Sequence, residues 1–147
     1  MLTRPSVPAV LDLLSHAVAQ PDAGQGHDLA LASQLLALTA RRVRLEPEFV
    51  ALEIQAYAEV GELVLAEGLD QDGVVAAVLH DLRDHLARHS SHHFDSRGYA
   101  LGSEVLCQAI DATHGTTGDA ANATAAALAL REDHQTQVVG DFTVAGR

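Results

Sequence analysis

The stretch HDLRDHLARHSSHH, residues 80–93, places five histidines and two aspartates in fourteen positions. Imidazole nitrogens and carboxylate oxygens at helical spacing are the ligand types that hold Zn, Mn or Fe between facing helices. On a helical projection, Val74, Val75, Val78, Leu79, Leu82 and Leu86 form a broad apolar arc, and Asp81, His85 and His89 step along its edge. His80 turns away from the arc, and His92 and His93 fall beyond the expected helix end.

The preceding helical stretch adds a carboxylate. Phe49, Leu52, Ala56, Val60, Leu63 and Val64 make its apolar stripe, and Glu53 falls inside that stripe. A buried carboxylate is costly unless something pairs with it. One candidate transition-metal set is therefore Glu53, Asp81, His85 and His89. The plainer reading gives Glu53 an arginine such as Arg42 or Arg44, and lets the histidines complement a helix C-terminus.

The short connection GLDQDG makes these two helices antiparallel neighbours. Glu59 and Glu62 then form an ExxE pair on the first, and Asp81 and Asp84 a DxxD pair on the second, with eighteen residues between Glu62 and Asp81. AEVGELVLAEG followed by LHDLRDHLARH resembles the core of the MazG-like all-α nucleoside triphosphate pyrophosphatases, over about forty residues. That family carries ExxE on one helix and ExxD on the next, and its four carboxylates hold magnesium against a triphosphate. The resemblance implies Mg or Mn on Glu59, Glu62, Asp81 and Asp84, and at least a dimer. Ala58 stands where the family usually has a further Glu, Asp81 is one methylene shorter, and no lysine is present, which leaves Arg83 and Arg88 for phosphates. AAVLHDL also looks like the His-Asp pair of HD-type phosphohydrolases, with His27 far upstream and Arg83 a poor fit just after the pair.

The elements that position these residues read as an all-α bundle of five or six helices with an extended C-terminal tail. Helices are expected near 7–19, 29–44, 48–67, 71–90 and 99–113, with Asp28 capping the second and Gly68 ending the third. A break is expected at EPEF, because proline removes a helical donor. DAANATAAALALRED reads as a sixth helix with strong propensity and little side chain to bury. The bundle domain then spans 1–134. Residues 135–147 carry a hairpin-like signal, Val138 and Val139 with Phe142 and Val144 around Gly140-Asp141, and Val139, Phe142 and Val144 are the candidate partner-docking residues.

Composition favours one helical domain. Hydrophobic residues make up 48%, aromatics only 3%, and the core must be built from Leu, Val and Ala. A net charge of −11, with arginine as the sole cation, argues against a general nucleic-acid binder. RRVR, with Arg41, Arg42 and Arg44, is the one local cluster that suits a phosphate. Cys107, alone and between apolar neighbours, gives no disulfide and reads as a core residue. No membrane span or secretory signal is expected, so the cytoplasm is the expected compartment. The leading functional reading is a helical interaction or assembly protein that pairs with itself or with a protein partner. The pyrophosphatase is the alternative, and the His/carboxylate metal site the second alternative.

Overall fold

The computed structural model describes Val10, Leu14, 25–89 and 95–139. Side chains are described at Val10 and Leu14 and from Leu31 onward within these stretches, except at Ser33 and Val139. Every described element is a helix: α1 Gln25–Ala66, α2 Val74–Arg88, α3 Ser96–Thr113 and α4 Asp119–Val139. The all-α expectation stands, and two expected boundaries are corrected. The second and third predicted helices are one continuous α1, and the last helix runs on to Val139, so 135–139 are helical rather than extended. Phe142 and Val144 lie outside the described residues. Of the first predicted helix, Val10 and Leu14 are described, and both are helical and buried. Among the described residues no helix is long and apolar enough to cross a membrane.

The expected break at EPEF fails for a physical reason. Pro47 lies inside α1 and cannot donate to Val43. Yet Thr39, Arg42, Glu46, Val50, Glu53, Tyr57, Val60 and Val64, all buried or half-buried, keep a three-four spacing straight through it. Burial of one helical face on both sides of the proline outweighs about 3 kcal/mol of intrinsic disfavour. Proline still marks a boundary, since the chain divides into two compact units, Met1–Glu46 with Thr136–Arg147, and Pro47–Gln135.

The unit Pro47–Gln135 holds two buried clusters. One joins Tyr57, Val60 and Val64 of α1 to Val75, Leu106, Ala109, Ala120 and Ala127 of the other three helices. The second joins Val50 and Ile54 to Leu79, Leu82 and Val105. Each fully buried Val or Leu contributes roughly 1.5–3 kcal/mol. Close approach requires small residues at the crossings. A Cβ on Gly61 would meet Val105 at 2.9 Å and Leu79 at 3.3 Å, and one on Gly102 would meet Tyr57 at 3.2 Å.

Acidic side chains open all three later helices. Both carboxylate oxygens of Asp70 accept from the first turn of α2, at Val75 N and Ala76 N. Asp95 caps α3 through Gly98 N, and Glu67 reaches across from α1 to accept Ala120 N at the start of α4. Negative charge at a helix N-terminus satisfies free N–H groups and complements the dipole. The end of α1 is closed by Gly68 in the left-handed region, with Gly68 N bonded to Leu65 O and Leu69 N to Val64 O. That double bond is the Schellman arrangement that the glycine position foretells. In the other unit, Val10 and Leu14 pack on Ala32 and Leu35 of α1.

Continuity of α1 through Pro47 has a measurable consequence. Pro47→Ala restores the missing donor and should raise stability by about 1–3 kcal/mol in thermal or urea unfolding. A loss of stability would contradict an unbroken α1.

Candidate functional site

Glu53 is fully buried and has two partners. The row Phe49, Glu53, Tyr57 runs along α1 at four-residue spacing, so one helical face supplies a ring, a carboxylate and a phenol. Tyr57 OH donates to Glu53 Oε2 at 3.0 Å. His134, carried 81 positions away on α4, places Nδ1 3.0 Å from Glu53 Oε1. An ionised carboxylate only accepts, so Nδ1 carries the proton in this pair. The His134 ring is 4% exposed and stacks on Phe49, with centroids 4.1 Å apart and planes at 4°. Burial pushes the Tyr57 phenol well above its ordinary range; the Glu53 charge and Tyr99 add to this, while Arg131 opposes it. Tyr57 therefore remains a protonated donor, and the carboxylate is held from both sides.

Five histidines drew attention to 80–93, and three are described. His80 is exposed. His85 is buried, and its Nε2 lies 2.9 and 2.8 Å from the two oxygens of Asp95. His89 ends α2: its Nδ1 donates to the His85 carbonyl at 3.1 Å, and its ring stacks on His85 at 4.5 Å. This is helix C-terminal complementation of the kind the dipole favours. His92 and His93 lie outside the described residues. Asp95 thus serves two helices at once, closing the end of α2 through His85 and opening α3 through Gly98 N. A side chain at Gly98 would collide with the Asp95 carboxylate, which accounts for glycine there. Burial raises the Asp95 pKa, but the Gly98 N–H, the His85 hydrogen bond and the charges of His85 and His89 outweigh it, and the carboxyl lies below its usual value.

The acid pairs of the pyrophosphatase resemblance are all exposed. Glu59 accepts from Gln55 at 3.1 Å. Glu62 forms an ion pair with Arg83, which joins α1 to α2. Asp84 pairs with Arg88 of its own helix at 3.0 Å, and Asp81 stands exposed. Among the described residues no group of three or more His, Cys, Asp or Glu side chains is placed to hold a metal ion. The proposed transition-metal set is divided likewise, Glu53 to His134 and His85 to Asp95. Arg83 and Arg88, the cations left for phosphates, are engaged by acids. Cys107 is exposed rather than in the core.

Two residues that matter most here, His134 and Asp95, escape the sequence reading. Glu53 itself announced that a partner was needed. The alanine-rich α4 shows too little contrast between faces to aim His134 inward, and Asp95 sits just beyond an expected helix end. Arg42, one of the partners considered for Glu53, pairs with Glu46 at 3.2 Å instead.

Removing one member of a buried hydrogen-bonded pair leaves the other unsatisfied, at about 1–3 kcal/mol and more where the group left is charged. Glu53→Ala and His134→Ala should each lose that much in urea unfolding, and Tyr57→Phe about 1–2 kcal/mol, because Glu53 keeps His134. Wild-type stability for His134→Ala would dismiss the pair. A depressed carboxylate contributes stability that is present above its unfolded pKa and lost as pH falls through the folded pKa. Acidification below about pH 4 should therefore erode wild-type stability. Asp95→Asn should cost about 1 kcal/mol at neutral pH and flatten the acid limb; superimposable limbs would contradict the shift. In comparisons with known proteins, no family model, no curated protein and no solved structure matches the chain.

Proposed function

We propose that this chain is a helical interaction protein that lends one face of α1 to a protein partner or to another copy. A single observation carries the reading: Leu36 and Val43 are 54% and 57% exposed on the same side of α1. Large apolar side chains left this open within one helical stripe favour association, because burying them against a partner removes them from water. Support also comes from the candidate chemistry. Glu53, His85, His89, Glu62 and Asp84 are each bound to another group of the fold, an arrangement suited to holding helices in place. The partner-docking role considered for Val139, Phe142 and Val144 is a separate proposal from the α1 face.

A photoreactive benzophenone side chain in place of Leu36 or Val43 tests the reading in producing cells. Irradiation should give discrete protein adducts, and the same group at exposed Glu104 on α3 should give none. Adducts at twice the chain mass identify a second copy, and other masses a different partner; both outcomes support the reading. No adduct at either position overturns it. A rise in melting temperature with millimolar Mg or Mn, together with pyrophosphate release from nucleoside triphosphates, would favour the pyrophosphatase instead.

A further inference from the structure

One dipeptide in the turn between α1 and α2 carries the parts of a reaction with itself. Asp72 and Gly73 form the sole Asp-Gly step of the chain. The main-chain nitrogen that follows an aspartate can attack that residue's side-chain carboxyl and close a succinimide ring. Nucleophile and carbonyl meet as an intramolecular pair, which removes the entropic cost of bringing two molecules together. Glycine favours the attack, because no Cβ shields its nitrogen and its backbone turns freely.

The fold leaves this step open. Both residues are exposed and lie outside the helices, between the end of α1 at Ala66 and the start of α2 at Val74. Among the described residues no hydrogen bond or ion pair engages the Asp72 carboxylate or the Gly73 N–H. Gly73 holds φ at 71°, and a Cβ built there would meet nothing within 4 Å. The neighbours are held instead: Asp70 accepts from Val75 N and Ala76 N, and Gly73 O accepts from Ala77 N at 3.2 Å. Asp95 and Ser96 give the contrast. Serine is also a small follower, but both Asp95 oxygens lie against His85 Nε2, and one of them accepts from Gly98 N. That carboxylate is not free to turn onto the Ser96 nitrogen.

We infer that Asp72–Gly73 is a site of spontaneous succinimide formation and conversion to isoaspartate. The Gly73 nitrogen bonds to Asp72 Cγ, the Cγ–OH bond breaks, and the hydroxyl leaves as water with the proton of the nitrogen. A second water opens the ring at either carbonyl, which returns aspartate or gives isoaspartate. Nothing is oxidised or reduced. The isoaspartyl link adds one methylene to the main chain between Asp70 and Val75, inside the span that the two Asp70 bonds close. Conversion therefore loosens the start of α2.

The full chain, kept folded in heavy-oxygen water at physiological temperature, records each ring opening, because one heavy oxygen enters with the water. After digestion in ordinary water, fragmentation mass spectrometry should place that oxygen at Asp72, part of it in isoaspartate, and none at Asp95. Asp72→Glu, an exposed change whose helices circular dichroism verifies, should lose the label, since its carboxyl would have to close a larger ring. The aged chain should melt below the fresh one, and aged Asp72→Glu should melt as it did when fresh. No heavy oxygen at Asp72 in the folded chain, or equal labelling of Asp72 and Asp95, overturns the inference. So does labelling at Asp72 that begins only when the chain is unfolded in urea. An equal fall in melting temperature for both aged proteins would contradict the loosening of α2.

Discussion

A carboxylate with no exposed surface lies inside the unit Pro47–Gln135. Glu53 could not remain charged in a core of Val, Leu and Ala without donors on both oxygens, and the fold supplies them from two helices. Tyr57 comes from the same face of α1, and His134 from the far end of α4. That second bond fixes more than the charge. It sets how far along α1 the alanine-rich α4 can slide, a task its own small side chains perform weakly. Phe49 completes the arrangement by stacking on the imidazole that Glu53 orients. Unsatisfied, the same carboxylate would oppose folding by several kcal/mol.

The same economy runs through the rest of the unit Pro47–Gln135. Asp70, Asp95 and Glu67 each open a helix, and Asp95 also receives His85 from the end of the preceding one. Glu62 ties α1 to α2 through Arg83. A chain with twenty acidic residues invites a reading in terms of metals and phosphates. Three of those acids, Asp70, Asp95 and Glu67, instead answer the free N–H groups at helix starts, which any short helix must satisfy somehow. With these groups committed to architecture, the interaction reading rests on the exposed apolar Leu36 and Val43 of α1.

The helices were legible where spacing and caps were sharp. Gly68 foretold the end of α1, the apolar arc of Val75, Leu79 and Leu82 foretold the buried face of α2, and an all-α chain followed from its scarcity of aromatics. Pro47 misled, because a local rule about one donor was outvoted by a helical phase kept on both sides of it. Residues 135–139 misled for a related reason: Val138 and Val139 look strand-like in isolation, yet they prolong a helix begun by alanines. Within the candidate site, the anomaly of Glu53 was visible and its solution was not. A partner 81 residues away on a helix of nearly uniform faces leaves no periodic trace. Density of histidine proved a poor guide as well, since His80, His85 and His89 follow three different fates within one helix.

The account turns on the buried polar groups being structural, and nitrogen chemical shifts of the imidazoles report this most directly. In the full chain labelled at histidine nitrogen, His134 should carry a hydrogen-bonded proton on Nδ1, with His85 protonated on Nε2 against Asp95. Both signals should stay in place when Zn or Mg is added. An unprotonated His134 Nδ1, or a metal-induced shift of His134 and His85 together, would contradict the account and return these residues to chemistry.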